Sequence, residues 1–360
     1  MKKLIVILPV LLLLLTFSGC TNNANTETTE QSEQTSDITT ETIETQFEWQ
    51  KDTPENHNIS SSIFTSLHNQ FDNTEIQACV TVRDDYIIDE YYKDSYDASS
   101  IFSLYSCSKS ITSALVGIAI DKGLIESTDV FISEYFPEIE ANGSEYQKQI
   151  TIWHLLTHTS GIDMSDDANW NEWIASDHWV QYILDRPVTS EPGTVFNYST
   201  GNSHLLCAIL QEATGMSVYE FGQKYLFEPL GMESVQCNTD PQGITDGGNG
   251  FQMNIYDMLK IGRLYLNKGN WQGEQIVSSD WIEASTSIQF IRDSGSADYG
   301  YQWWVRQFEG HSAYFAQGHF GQFIFVVPDF NLIIAFTSHN TGRTSMYWQF
   351  VNTIVANCGS

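Results

Sequence analysis

The distribution of strand-like and helix-like segments constrains the fold more than any other feature of the 360-residue sequence. "IQACVTVRDDYIIDEYY" alternates β-branched and aromatic residues on both sides of a polar turn at residues 83–85, which predicts two paired strands. The last third contains the short β-rich runs "YGYQWWVRQ", "SAYFAQG", "QFIFVVPD" and "NLIIAFTSH", with a predicted hairpin turn at residues 328–331. Helical patterns lie between these two groups of predicted strands. We predict an α/β fold of the α+β type, in which an antiparallel sheet formed from N- and C-terminal strands is flanked by helices. An all-α subdomain is inserted at about residues 124–290.

The first residues have the composition of an export signal. Lys2 and Lys3 precede an apolar run at residues 4–15. This run is shorter than the roughly 20 residues of a membrane span and suits the core of a signal peptide, predicted at residues 1–19. It ends in "TFSGC", which resembles a bacterial lipoprotein signal. The resemblance implies lipidation of Cys20 and an extracytoplasmic protein anchored to the cell membrane, with a plain secretory peptide as the alternative.

Residues 20–50 are predicted to be a disordered tether. Up to residue 46 they are rich in Thr, Ser, Asn, Gln and Glu and contain no Lys or Arg, so they cannot bury enough apolar surface to offset the entropy of ordering. From about Trp49 onward the composition is globular, and residues 51–360 suffice for one domain with an inserted subdomain. The formal net charge of −29 argues against nucleic acid as a partner.

The cysteine pattern excludes two common architectures. Six cysteines are present, and none forms a C-x-x-C pair. Neither a zinc ribbon nor a dense disulfide framework is indicated, and any disulfide pairing stays open. Cys107 is interpreted as a small packed residue.

"IFSLYSCSKSITSALVGIAIDKG" begins as a polar loop and continues as an apolar helix, predicted at residues 108–122. Ser106 and Lys109 are three residues apart, so on a helix they share one face at about 5–6 Å. Unpaired N–H groups at a helix start stabilise negative charge on a serine oxygen. An apolar face containing Ile111 and Leu115 would desolvate the amine and lower its pKa, as a base requires. The alternative is an ordinary serine cap.

Two further motifs follow the serine–lysine pair. Tyr198 lies in "EPGTVFNYSTGNSHLL", just before a helix, and His319 lies in "FAQGHFGQFIFVVPD". In this order and spacing, the three motifs resemble those of the serine β-lactamase-related family, which comprises class C β-lactamases, penicillin-binding D,D-peptidases and their esterase and amide-hydrolase relatives. The resemblance covers roughly residues 64–339.

The resemblance implies acyl transfer to a serine followed by hydrolysis, without metal or cofactor. Ser106 matches the acylated nucleophile and Lys109 its base. Tyr198 matches the residue that relays the proton to the leaving group, with a pKa lowered by the nearby lysine amine. The main-chain N–H groups of Ser106 and Gln322 match the oxyanion-binding pair.

Three positions are implied to bind substrate. His319 and Gly321, expected at the start of a strand, match the segment that lines the site, and Thr200 is the third residue of the tyrosine motif. Thr200 replaces an asparagine and His319 replaces a lysine of β-lactam-cleaving relatives. We therefore expect a small-molecule ester, amide or peptide substrate, with esters and small amides favoured. Hydrolysis of β-lactams or peptidoglycan peptides is the alternative.

Other interpretations remain open. His154 and His158 have the spacing of helical metal ligands but lack an H-E-x-x-H motif. A Ser-His-Asp triad is possible in space, although no G-x-S-x-G motif occurs. The chain could also be a tethered binder of cell-wall fragments without turnover. The tryptophan-rich segment of the insert is either a cover over the site or part of the core; it contains Trp170, Trp173 and Trp179.

Overall fold

The structure is a computed structural model that describes residues 47–292, 297–342 and 344–359. The predicted signal peptide, Cys20 and the predicted tether up to residue 46 lie outside the described residues. Phe47 packs against Trp49 and Trp271, and Gln50 already belongs to a strand, so the folded part begins a few residues before the predicted boundary.

The described chain alternates short strands with helices. The strands are β1 (Gln50–Lys51), β2 (Ile76–Arg83), β3 (Tyr86–Tyr92), β4 (Phe102–Ser103), β5 (Gln236–Cys237), β6 (Phe251–Met253), β7 (Asn270–Trp271), β8 (Glu274–Gln275), β9 (Asp298–Tyr299), β10 (Trp304–Phe308), β11 (His311–Gly318), β12 (Gln322–Val327) and β13 (Leu332–Ser338). The helices are α1 (Ser61–Phe71), α2 (Ser108–Asp121), α3 (Pro137–Asn142), α4 (Ile152–Leu156), α5 (Asp166–Ile174), α6 (Trp179–Leu184), α7 (Thr200–Thr214), α8 (Val218–Gly222), α9 (Ile255–Leu266), α10 (Ser279–Thr286) and α11 (Ser345–Ala356).

The main sheet combines strands from both ends of the chain, as predicted. Its order is β1-β3-β2-β13-β12-β11-β10-β9, and every pair is antiparallel except β1 with β3. The predicted β2–β3 hairpin is confirmed, and its turn residues Asp84 and Asp85 both have positive φ. Such backbone suits a tight hairpin because its twist matches that of the strands. The predicted hairpin between β12 and β13 is also confirmed.

Alternate side chains of the sheet enter two separate cores. In β13, Ile333 and Ala335 face one core, while Ile334 and Phe336 face the other. The second core is closed by α1 and α11, and the first by α9 and the remaining helices. This alternation follows from the two-residue period of a strand buried on both faces.

The inserted region is not all helical, which corrects the prediction for residues 124–290. It contains β5 and β6, which pair with each other and with β4, and the β7–β8 hairpin. In addition, α9 packs directly on the main sheet, because a side chain at Gly262 would lie 2.6 Å from Ile333 Cγ2 and 3.1 Å from Ile324 Cγ2.

The five cysteines in the described residues are unpaired, and those at positions 79, 107, 207 and 358 are buried. Across the same part of the chain, no helix combines the length and apolar character needed to cross a bilayer.

Candidate active site

Ser106 lies in a tight turn that joins β4 to α2. Tyr105–Cys107 form one 3-10 turn, in which Tyr105 has a left-handed φ of 48°. Such a conformation costs a non-glycine residue about 1–3 kcal/mol, so neighbouring contacts must hold it. Just after this turn, a 3.1 Å hydrogen bond from the Phe251 N–H to Ser108 Oγ ties the start of α2 to β6. The half-buried Ser106 hydroxyl therefore stands just before the first turn of α2.

The Lys109 amine is buried in the first turn of α2. Nζ lies 2.9 Å from Ser106 Oγ, 2.9 Å from Thr200 Oγ1 and 3.0 Å from the Gly248 carbonyl oxygen. The residue is only 1% exposed. Burial lowers the pKa of Lys109, and nearby carboxylate charges oppose this effect. The lowered pKa predicted from the apolar helix is confirmed.

Thr200 is fully buried at the start of α7, which corrects its predicted position facing substrate. Its hydroxyl accepts from Lys109 and donates to Asp166 Oδ2 at 2.6 Å. Its main-chain N–H donates to Asp166 Oδ1 at 2.7 Å. Asp166 is the first residue of α5, after the helix cap Ser165. One carboxylate therefore caps α7 and also binds the hydroxyl next to the lysine.

The loop at residues 246–250 forms the other wall around the amine. Asp246 Oδ1 accepts from the main-chain N–H groups of Gly248 and Asn249 at 3.2 and 3.1 Å, which fixes the loop's curvature. The Asn249 side-chain oxygen accepts from the serine hydroxyl at 3.4 Å. A Cβ atom at Gly248 would lie 2.2 Å from Thr200 Cγ2, so only glycine fits there.

Tyr198 lies next to the serine–lysine pair. The centroid of its ring is 5.0 Å from Lys109 Nζ, 5.7 Å from the Trp304 ring centroid and 4.7 Å from that of His158. Burial raises the pKa of the Tyr198 phenol, and its interaction with Ser106 offsets only part of this rise. The prediction that the lysine amine lowers this pKa is wrong, because enclosure by aromatic rings disfavours the phenolate more than its neighbours stabilise it. The phenol is therefore protonated at neutral pH.

His319–Gly321 form a turn between β11 and β12, whereas we expected His319 and Gly321 at the start of a strand. Two successive positive φ angles, 62° at Phe320 and 98° at Gly321, reverse the chain, and β12 begins only at Gln322. A Cβ atom at Gly321 would lie 2.0 Å from the Tyr347 hydroxyl oxygen. Gly321 is therefore needed for the backbone itself.

The turn lies beside the nucleophile. The Tyr105 ring centroid is 6.0 Å from that of the exposed His319 and 5.2 Å from that of Phe320. Gln322 is buried, its side chain donates to the main-chain oxygen of Ser338, and its main-chain oxygen accepts from Cys107 Sγ at 3.4 Å. Its role in binding an oxyanion stays a prediction.

The two histidines with metal-ligand spacing have separate structural partners. His154 Nδ1 accepts from the Thr151 N–H at 2.9 Å and caps α4. His158 is buried behind Tyr198, and burial lowers its pKa well below 6.5. Within the described ranges, no group of three or more His, Cys, Asp or Glu side chains could hold a metal ion.

The tryptophan-rich segment belongs to the core of the helical layer, one of the two alternatives considered for it. Trp173 is fully buried and packs against Trp170, Trp179 and His204.

Sequence patterns do not single out Asp166, Gly248 or Asn249, although each contacts the serine, the lysine or Thr200. Only indirect signals exist. "MSDDANW" has the Ser-Asp-Asp pattern of a helix start, and "TDGGNG" has the glycine pattern of a tight loop. Neither pattern indicates which distant residue the segment will contact.

Comparison with known proteins identifies the family of this chain. Residues 67–347 match the sequence profile of the Beta-lactamase family. The chain belongs to the Beta-lactamase family. Among relatives, the 6-aminohexanoate-dimer hydrolase of Paenarthrobacter ureafaciens is 26% identical over 263 residues, and the match covers 66% of this chain and 66%, just under two thirds, of that protein. Penicillin-binding protein 4* of Bacillus subtilis (strain 168) is 30% identical over 203 residues, which cover 54% of this chain and 43% of that protein.

Solved structures confirm the predicted fold class of this Beta-lactamase family member. A Bacillus anthracis protein, assigned provisionally as a 6-aminohexanoate-dimer hydrolase, superposes with a TM-score of 0.74 at 21% identity, covering 87% of both chains. The octameric penicillin-binding protein homologue from Pyrococcus abyssi gives a TM-score of 0.68 at 19% identity, covering 82% of this chain and 77% of that one.

Proposed function

We propose that this protein is a serine hydrolase that forms an acyl-enzyme intermediate on Ser106. The observation that carries the proposal is the 2.9 Å contact between Ser106 Oγ and the buried Lys109 Nζ. Because burial lowers the lysine pKa, a larger fraction of the amine is neutral near physiological pH than in water. A neutral amine at hydrogen-bond distance can accept the serine proton.

In acylation, the Ser106 O–H proton passes to the lone pair of Lys109 Nζ while Oγ bonds to the substrate carbonyl carbon. The carbonyl π electrons move to its oxygen, for which we propose the main-chain N–H groups of Ser106 and Gln322 as partners. When the intermediate collapses, its electron pair re-forms the carbonyl and the bond to the leaving group breaks. The leaving group takes the Tyr198 proton, which the lysine ammonium replaces. Water then attacks the acyl-enzyme carbonyl carbon and gives one proton to Lys109 Nζ. When this second intermediate collapses, the bond to Ser106 Oγ breaks and Oγ takes the proton back from the lysine ammonium.

The substrate class that we propose is a carboxylic ester or a small amide. Thr200 is buried against the lysine and offers no amide to a substrate side chain, and His319 stands where β-lactam-cleaving relatives have lysine. The relative from Paenarthrobacter ureafaciens is named 6-aminohexanoate-dimer hydrolase, and a dimer of an amino acid joined head to tail is a linear amide. Together, these three observations favour esters and linear amides over β-lactams.

The test uses a fluorophosphonate probe and p-nitrophenyl esters of short acids. Wild-type protein is expected to be labelled and to cleave the esters faster than nitrocefin, and Ser106→Ala is expected to lose both activities. Ser103→Ala is the matched control, because this exposed serine lies in β4 just before the turn. A folded wild-type protein that resists the probe would support a tethered binder instead. Faster nitrocefin turnover would support a β-lactamase.

We also propose that the chain is anchored to the cell membrane through lipidated Cys20. Detergent-phase partitioning of the full chain tests this location. Wild-type protein is expected in the detergent phase and Cys20→Ala in the aqueous phase, and equal partitioning of the two would contradict the anchor.

A further inference from the structure

The three partners of Lys109 Nζ have different hydrogen-bonding capacities. The Gly248 carbonyl oxygen, at 3.0 Å, can only accept. Thr200 has one hydroxyl hydrogen, and the 2.6 Å contact with Asp166 Oδ2 uses it, because a carboxylate can only accept. Thr200 Oγ1 must therefore accept from the lysine amine at 2.9 Å.

Two directions around Nζ are thus reserved for N–H bonds. The remaining direction is occupied by Ser106 Oγ at 2.9 Å. A neutral amine has two N–H bonds and one lone pair. With both N–H bonds committed to Gly248 and Thr200, the lone pair is directed at Ser106 Oγ. The one hydrogen of this hydroxyl then has two acceptors within reach, the lysine lone pair at 2.9 Å and the more distant Asn249 Oδ1 at 3.4 Å, and the shorter contact is the one that base catalysis uses.

We propose that Asp166 is a positioning residue, which fixes the direction of the Thr200 hydroxyl and thereby directs the Lys109 lone pair at Ser106. The proposal rests on the proposed function, since it assigns how that base is oriented. Asp166 positions the amine through Thr200, while its charge also acts on the amine through space. Its side chain contacts Thr200 twice, once at the main-chain N–H and once at the hydroxyl.

Asp166→Asn reverses the direction of the hydrogen bond between the Thr200 hydroxyl and residue 166, while a side chain of similar size stays in place. Its new amide oxygen must stay opposite the Thr200 main-chain N–H, which can only donate. The new NH₂ group then faces Thr200 Oγ1 and donates to it. The Thr200 hydrogen loses its acceptor, and the lysine lone pair is the acceptor within reach. That lone pair is then shared between Thr200 and Ser106.

The substitution also removes a negative charge near the amine. Asp166 and Asp246 both raise the pKa of Lys109 and so oppose the effect of burial. Loss of the Asp166 charge therefore moves the acid limb of the pH–rate profile to lower pH. A purely electrostatic role would leave the plateau of kcat unchanged, whereas a positioning role lowers the plateau. The other titratable groups around the amine are Cys107, His158 and Tyr198, and all keep their identity in this variant.

The experiment measures kcat and KM across pH for a p-nitrophenyl ester. Asp166→Asn is expected to lower the kcat plateau about 10- to 100-fold with KM within about twofold, as for a misdirected general base. Asp167→Asn is the matched control, because it makes the same charge change at the next, exposed position of α5. It is expected to keep kcat. An unchanged plateau in Asp166→Asn, or an equal fall in Asp167→Asn, would overturn the proposal.

Variants of Thr200 provide a second route if Asp166→Asn fails to fold. Thr200→Ser keeps the hydroxyl and is expected to stay within about threefold of wild type, while Thr200→Val is expected to lose at least about tenfold in kcat. Adding Asp166→Asn to Thr200→Val should cause no further loss, because the aspartate acts through the hydroxyl. The proposal would be contradicted if the losses in kcat from Asp166→Asn and Thr200→Val multiplied in the double variant. Equal activity of Thr200→Ser and Thr200→Val would also contradict it. Failure of wild-type protein to acylate at all would refute the proposed function instead.

Discussion

The Gly248 carbonyl oxygen lies 3.0 Å from Lys109 Nζ, and the space that a side chain at Gly248 would need is filled by the Thr200 methyl group. The same residue thus supplies an acceptor to the amine and permits the loop to approach α7. Neither contact depends on a positive φ, because Gly248 does not have one. The need for glycine here is steric.

Gly248→Ala is expected to lower kcat for ester hydrolysis by at least about tenfold, because the added Cβ displaces the carbonyl from the amine. It should also destabilise the fold by about 1–3 kcal/mol through overpacking against a buried threonine. Steady-state kinetics and urea unfolding measure the two effects. Gly342→Ala is the control, since it lies at an exposed position without a positive φ. Wild-type kinetics in Gly248→Ala would contradict the role assigned to this carbonyl.

Tyr198→Phe keeps the ring that packs on Trp304 and removes only the hydroxyl. We expect kcat for an alkyl amide to fall about 100-fold, because an amine leaving group needs a proton. A p-nitrophenyl ester of the same acid should lose much less, since p-nitrophenolate leaves without one. The ratio of the two rates is the measurement, with Tyr86→Phe on the distant β2–β3 hairpin as control. Equal losses on both substrates would mean that Tyr198 does not protonate the leaving group.

The lowered pKa of Lys109 predicts a dependence of stability on pH. Between this lowered pKa and the ordinary value of 10.5, the unfolded chain holds a proton that the folded chain has released. The free energy of unfolding therefore rises with pH across this window. Urea unfolding of wild type and Lys109→Met from pH 7 to 10 should show this rise in the free energy of unfolding in wild type alone. If the free energies of the two proteins ran parallel across this pH range, the lysine pKa would have its ordinary value.

The lowered pKa of buried His158 predicts how the free energy of unfolding depends on pH on the acid side. Burial lowers its pKa well below 6.5, and the charges of Lys109 and Arg292 add to this effect. Below pH 6.5 the unfolded chain therefore binds a proton that the folded chain does not, and stability falls as the pH falls. His158→Gln should lose this component. Urea unfolding of wild type and His158→Gln from pH 4.5 to 6.5 measures this component as the change with pH in the difference between their free energies of unfolding. A difference that stays constant with pH would contradict a neutral His158.

The sequence predicted those parts of the site that depend on local spacing. Ser106 and Lys109 share one helical face because they are three residues apart, and the apolar helix correctly indicated a buried amine. The sheet was predictable for a similar reason, since the alternation in β2 and β3 and the β-rich runs of β12 and β13 are local patterns.

The partners of the amine depend instead on contacts between distant segments. Gly248 is 139 residues from Lys109, and Asn249 is 143 residues from Ser106. Their positions follow from how the loop packs against α2 and α7, which no spacing rule provides. The direction of the Tyr198 pKa shift was mispredicted for the same reason, because the enclosing rings, among them His158 and Trp304, come from separate elements.

Four stretches of chain meet at the lysine, and they contain Ser106, Asp166, Tyr198 and Gly248. The exposed residues 241–243 separate the last of these stretches from the first three. A chain cleaved there would yield two fragments, each lacking part of the proposed active site. Once the two fragments are separated, the proposed turnover would require them to reassociate, so that the hydrolysis rate would report fragment complementation.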